Sequence, residues 1–409
     1  VPSLPPALVV AGLGLTQIIG YGTSYYCFAL IAEAAGGSFG VPASWLFGAF
    51  SAALLLGGAV APWAGRQMDR RGAAPLMVLG SAIAALALAG LALAPNVAVF
   101  TLALIVLQMA APLMLYDAAF TALVQSGGGQ ARARITYLTL IAGFASTLFW
   151  PLTAWLVAAL DWRAALMIYA ALNALVALPI HAVLAARRTP ATALALEAMA
   201  TPARAAATPE MPPEHAGRAF ALTAGGFTLA SVVLSAVLAQ MVPVLQGLGL
   251  GPAALLVATL FGPAQVGVRF VNMVLGANRH PLTVTLVATG ALPLAVLALA
   301  LAAPSLVGAA VFAVLLGFGS GLKSIVQGTL PLALFGPDGY GARMGRMALA
   351  RQVAGALAPF LFAVLMEAMG ARAALTILAL IGGVAVAAFL AIGRLCRPPS
   401  AGATAGSAG

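Results

Sequence analysis

Twelve stretches of this chain stay apolar for about 20 residues or more before Gly, Pro or charge interrupts them. A hydrocarbon core ~30 Å thick is crossed by roughly 20 residues of α-helix, and within it every backbone N–H and C=O must find a partner inside the protein. The stretches therefore predict an all-α polytopic membrane protein with spans at 7–33, 43–64, 73–94, 97–125, 135–158, 163–186, 219–247, 253–276, 282–303, 306–333, 347–370 and 371–393. Composition agrees: 63% of the 409 residues are hydrophobic and 7% are charged, against about a quarter charged in a soluble domain. The first run lacks the basic leader and small-residue cleavage site of a secretory signal, so it reads as a retained helix.

The formal net charge is +10. In a soluble protein that excess would point toward nucleic acid, but here the basic residues lie in short loops between apolar runs, where Lys and Arg mark the cytoplasmic side. Fourteen of the 19 fall on one side, Arg163 and Arg372 lie in loops on the other, and Arg269, Lys323 and Arg351 lie inside spans. Both termini are expected in the cytoplasm of a bacterial inner (plasma) membrane. The expected surroundings are the lipid bilayer, with no nucleic-acid partner and a monomeric chain.

A Pro-, Ala- and Thr-rich segment divides the spans six and six. The predicted organisation is an N-terminal six-helix bundle at 1–186, a cytoplasmic linker at 187–218, a C-terminal bundle at 219–393 and a tail at 394–409. Within the linker, ATALALEAMA reads either as a short surface helix or as an unstructured connector. A faint repeat at an offset of 209 residues relates the halves: it places Arg70 on Arg279, Arg134 on Arg343 and Arg163 on Arg372. Three matches at equivalent topological places indicate a duplicated six-helix unit.

The stretch PWAGRQMDRRGA concentrates four charges between the second and third spans. Its Gly65, Asp69, Arg70 and Gly72 fit the pattern G-x-x-x-D-R-x-G, which resembles the signature loop of the major facilitator superfamily. The 6+6 arrangement, the central linker and the Asp-Trp-Arg at 161–163 extend the resemblance over nearly the whole chain. The chain departs from the motif at Ala73 and Ala74, where two basic residues usually follow, and the second-half counterpart GANRHP is degenerate. The resemblance implies two pseudo-symmetric bundles and a loop that forms part of a conformational latch. Physically, a tight turn between antiparallel helices needs Gly, and an Asp beside a helix N-terminus gains from the helix dipole.

An ionisable side chain at mid-bilayer costs roughly 2.5–3.5 kcal/mol even on the lenient insertion scale, so such residues are functional candidates by default. Arg269 leads, with Gln265 and Asn272 on nearly the same face of the eighth span. That face could bind a carboxylate through the guanidinium fork. Lys323 lies near the middle of the tenth span with Gln327 one turn on; Gly317 and Gly321 beside it suit close helix packing, and the apolar helical setting excludes a phosphate loop. Asp117 of the fourth span reads as a partner of the signature-loop arginines, a counterion for another cation or a proton site, with pairing favoured; Arg351 reaches either the surface or the other half. In the first span Gln17, Tyr21 and Tyr25 recur every four residues as a polar, aromatic stripe.

The duplicated six-helix halves and the superfamily resemblance imply secondary active transport of a small solute by alternating access. The excess of cations within the spans, led by Arg269 and Lys323, points to a small organic anion with a carboxylate as that solute. A tyrosine-bearing first span and an eighth-span Arg are similar to the monocarboxylate and oxalate:formate branch of the superfamily. The alternative is efflux of a drug, siderophore or metalloid compound. An enzyme is not expected, because His181, His215 and His280 are scattered and converge on no acid–base or metal constellation. A channel would need a charged ring or filter, and none is visible. No cofactor and no metal are expected; the driving force would be coupling to protons or exchange of a counter-anion.

Overall fold

A computed structural model of the chain describes residues 4–126, 130–187, 211–276 and 279–396. Twelve helical segments in it are long and apolar enough to cross a membrane: Pro6–Phe39, Ala43–Arg71, Ala73–Ala92, Val97–Gln125, Ala131–Ala159, Trp162–Ala186, Pro213–Leu250, Ala253–Leu275, Pro281–Ala302, Leu306–Phe335, Tyr340–Met369 and Ala371–Leu395. They are called the first to twelfth spans in that order. The fold is all-α, with two pseudo-symmetric groups of six. Within the expected linker, ATALALEAMA lies outside the described residues, as do Arg188, Arg204, Arg397 and part of GANRHP.

Two helices run seven residues beyond their apolar runs at one end, the largest such extensions among the described spans. The second continues through Arg66, Asp69, Arg70 and Arg71, so the expected loop is the last turns of a helix that stops at Gly72. The eleventh begins at Tyr340, seven residues before the apolar count would start it, and carries Arg343 and Arg346 in its first turns. The physical reason is common to both. Apolar length measures the bilayer, whereas i→i−4 hydrogen bonding continues into the aqueous boundary wherever the sequence permits a helix.

The 209-residue repeat has a structural counterpart. Arg163 donates to the carbonyls of Ala92 (2.7 Å) and Ala94 (2.8 Å), closing the end of the third span. Arg372 donates to Ala303 at the end of the ninth (2.9 Å), the position 209 residues beyond Ala94. On the other face Arg134 donates to the hydroxyl of Ser126 and Arg343 to the carbonyls of Phe335 and Gly336. Each arginine bonds to groups at the C-terminal end of another span, the third and ninth for Arg163 and Arg372 and the fourth and tenth for Arg134 and Arg343, where cations are favoured. Arg163→Ala and Arg372→Ala are each expected to cost about 1–2 kcal/mol, read as a lowered melting temperature of the purified protein.

The halves do not pack evenly along their length. On the arginine-rich face one continuous core joins them, running from Leu13, Met68, Phe120 and Ile135 to Val326, Leu330, Tyr340, Met344 and Phe389. Toward the opposite face it separates into two cores, one built from the N-terminal six spans and one from the C-terminal six. The bundles are closed together at the arginine-rich side.

Candidate functional site

Arg269, in the third turn of the helix Phe261–Leu275, is 5% exposed. Its Nε donates to the carbonyl of Gly321 in the tenth span (3.4 Å), and one terminal nitrogen donates across to Thr139 in the fifth (3.2 Å). The guanidinium can lie there because position 143 is Gly; a Cβ on it would collide with the guanidinium. No carboxylate pairs with Arg269 among the described residues.

Around Arg269 lies a small pocket of about 40 Å³ between the halves, lined by Tyr21, Tyr26, Tyr116, Ala142, Gly143 and Gln265. Gln265 donates to the Ser320 hydroxyl (2.7 Å), joining the eighth and tenth spans. The approach of those spans depends on Gly317 and Gly321, where a Cβ would meet the backbone oxygens of Phe261 and Gln265. This is the small-residue packing read from the sequence. Tyr116 stacks on Phe120 and lies 4.8 Å, centroid to centroid, from Tyr21.

Three expected members have other settings. Gln17 is fully buried and donates to the Met114 carbonyl (2.8 Å), tying the first span to the break in the fourth rather than lining the pocket. Asn272 lies one turn nearer the arginine-rich end of its helix, with its side chain over Gly276. Tyr25 is 48% exposed and packs on Tyr26 and Phe50, while Tyr26 takes the pocket position. The cause is a π-helical turn at Gly22–Tyr26: one wider turn makes the aligned spacing five residues instead of four, so Tyr26 follows Tyr21. Lys323 is 8% exposed and makes no hydrogen bond or ion pair among the described residues. Gln327, one turn on, is half-buried.

The signature segment meets the opposite half directly. Asp69 accepts hydrogen bonds from the backbone N–H groups of Gly341 (2.8 Å) and Ala342 (2.7 Å), at the N-terminus of the eleventh span. Gly65 lets the helices touch, because a Cβ there would run into the Gly341 carbonyl. Gly72 holds φ 87°, ψ 149°, a conformation open to Gly, where the second helix ends and the third begins. Gln125, which the sequence did not single out, spans that turn: it donates to Met68 O (2.8 Å) and accepts from Ala73 N (2.9 Å). Arg70 is exposed and makes no hydrogen bond among the described residues.

A second link lies deeper. The fourth span breaks at Leu115, three residues after Pro112, and Asp117 begins a new helix where its charge meets the helix's positive end. Asp117 pairs with Arg351 of the eleventh span at 3.4 Å, at 19% and 9% exposure. The arginine partner is thus in the other half, not in the signature segment. Arg351→Ala is expected to destabilise the closed arrangement by about 3 kcal/mol, because Asp117 would remain buried without its cation. A lowered melting temperature that Asp117→Asn partly restores would check this.

The family model described as Major Facilitator Superfamily matches residues 11–359. The chain belongs to this superfamily. It is a membrane transporter, not an enzyme. No curated protein matches it significantly. Among solved structures, the human organic anion transporter MFSD10 (TETRAN) is similar at a TM-score of 0.72 and 17% identity, covering 95% of this chain and 100% of that one. FucP, the Escherichia coli fucose:proton symporter, in its outward conformation gives 0.71 and 13%, covering 95% and 98%. The proton:xylose symporter XylE gives 0.67 and 13%, covering 94% and 95%. At these identities the likeness is one of fold.

Proposed function

We propose that this transporter moves a small organic anion bearing a carboxylate by secondary active transport, at a site between the halves centred on Arg269. The observation that carries the reading is a buried guanidinium held by two neutral carbonyls with no carboxylate beside it among the described residues. A buried cation without a counterion is costly, and an anion entering the pocket supplies both the missing charge and bidentate acceptors. Gln265 and the hydroxyls of Tyr21, Tyr26 and Tyr116 add polar groups around it, and Lys323, unpartnered among the described residues, is a second cation on the tenth span for the same substrate.

The N-terminal bundle, 1–186, and the C-terminal bundle, 219–393, rock about this site, joined by the 187–218 linker. With the arginine-rich face in the cytoplasm, the closed side is cytoplasmic. Asp69 with Gly65 and Gly72 forms one latch on the closed side, and Asp117 with Arg351 forms another. One chain holds the whole pathway, so the working unit is the monomer.

The test is uptake of radiolabelled mono- and dicarboxylates into proteoliposomes containing the purified protein. Saturable uptake that accelerates under an inward proton gradient identifies proton symport, and acceleration by a carboxylate trapped inside identifies exchange. Absence of uptake for every carboxylate, alongside uptake of neutral or cationic solutes, overturns the anion reading.

A further inference from the structure

The π-turn of the first span is held from three sides. Within it the N–H of Cys27 bonds to the carbonyl of Gly22 (3.0 Å), the i→i+5 spacing. Such a turn disturbs the regular ladder, and side chains take over the freed carbonyls. The Thr23 hydroxyl donates to Ile19 O (2.8 Å), the Ser24 hydroxyl to Gly20 O (2.6 Å) and Cys27 Sγ to Thr23 O (3.1 Å). Two contacts come from other spans: Gln108 Nε2 of the fourth donates to Ser24 O (2.8 Å), and Asn173 Nδ2 of the sixth donates to the Thr23 hydroxyl (3.0 Å). Gln108 is 3% exposed and Asn173 fully buried. Asn173 itself opens a second π-turn, Asn173–Ala177, so the irregular turns of the first and sixth spans meet. On the third side Gly22 has no Cβ, and the Phe149 ring of the fifth span occupies that space.

We propose that Gln108 and Asn173 are positioning residues: by bonding to the π-turn they fix the register of the first span, and that register places Tyr26 rather than Tyr25 against Arg269. Neither residue lines the pocket, and each acts through the tyrosine. The inference rests on the anion-site reading above for its functional consequence, while the register itself is a structural claim that can fail separately. In a regular α-helix the residue stacked over Tyr21 would be Tyr25, four positions on. The chain offers tyrosines at both 25 and 26, so losing the π-turn exchanges one phenol for its neighbour.

Two measurements test this in the full-length protein carrying Cys27→Ser, whose hydroxyl keeps a donor for the Thr23 carbonyl, and Cys396→Ser. First, disulfide formation is measured for Tyr26→Cys/Ala142→Cys and for Tyr25→Cys/Ala142→Cys. The expected result is efficient cross-linking of the 26/142 pair and little of the 25/142 pair, with the preference reversed when Gln108→Met, which has no donor, or Asn173→Ala is added. Equal cross-linking in the parent, or an unchanged preference in both backgrounds while the proteins remain monodisperse, overturns the register claim.

Second, apparent affinity for a transported carboxylate is measured. Tyr26→Phe is expected to weaken it about tenfold and Tyr25→Phe to leave it nearly unchanged, with the order exchanged in the Gln108→Met background. A general structural loss would lower both without changing which tyrosine matters. If cross-linking behaves as expected but neither tyrosine affects affinity, the register stands and the anion-site reading falls.

Discussion

Arg269→Ala is expected to abolish measurable carboxylate uptake at substrate concentrations that half-saturate the parent. The guanidinium offers an anion a planar pair of donors, and charge-assisted hydrogen bonds of that kind are worth about 1.5–3 kcal/mol each. Losing about 2–3 kcal/mol of binding corresponds to roughly 30–150-fold in affinity. Arg269→Lys separates charge from geometry. The ammonium keeps the positive charge but not the fork, so an intermediate loss of about tenfold is expected. Because Arg269 also bonds to Thr139 across the halves, its removal is paired with a thermal-shift measurement. The parent is stabilised by saturating carboxylate through linkage, whereas Arg269→Ala is expected to show no such shift while keeping a cooperative melt. A normal shift in Arg269→Ala places the anion elsewhere.

Much of the fold was legible, because bilayer thickness imposes one length on every span and the repeat imposed one offset on the arginines. What could not be read was the far end of each interaction. Arg163 and Arg372 stood out as a matched pair, yet they bond to backbone carbonyls, which carry no residue-specific signal. Gln265 and Arg269 stood out because polar residues four apart interrupt an apolar helix, and the structure brings both to the pocket. Tyr116 and Gly143 did not. The first reaches the pocket through the break at Leu115, and the second contributes only the absence of a Cβ. Tyr25 and Gln17 were drawn into one stripe by an α-helical period that the π-turn interrupts and that gives no weight to Gln17's local acceptor. Asp117 and Arg351, 234 residues apart, were each visible as buried charges. Their pairing depended on how the two halves meet.

Asp69→Ala is expected to shift the resting population toward opening of the arginine-rich side. The amides of Gly341 and Ala342 belong to the first turn of a helix, where N–H groups lack intrahelical acceptors and the dipole favours an anion. Asp69 supplies one oxygen to each. Removing both bonds at an exposed site changes the balance by about 2 kcal/mol, roughly thirtyfold in population. Ala64, fully buried in the core that joins the halves, reports the change: in Ala64→Cys/Cys396→Ser protein, modification by a charged thiol reagent is expected to accelerate at least tenfold when Asp69→Ala is added. Gly65→Val should accelerate it too, for a different reason, since its side chain would press on the Gly341 backbone. Arg70→Ala should leave the rate unchanged, because Arg70 makes no hydrogen bond among the described residues. Acceleration by Gly65→Val without acceleration by Asp69→Ala would mean that helix packing alone holds the side closed, and the carboxylate clasp would lose its role.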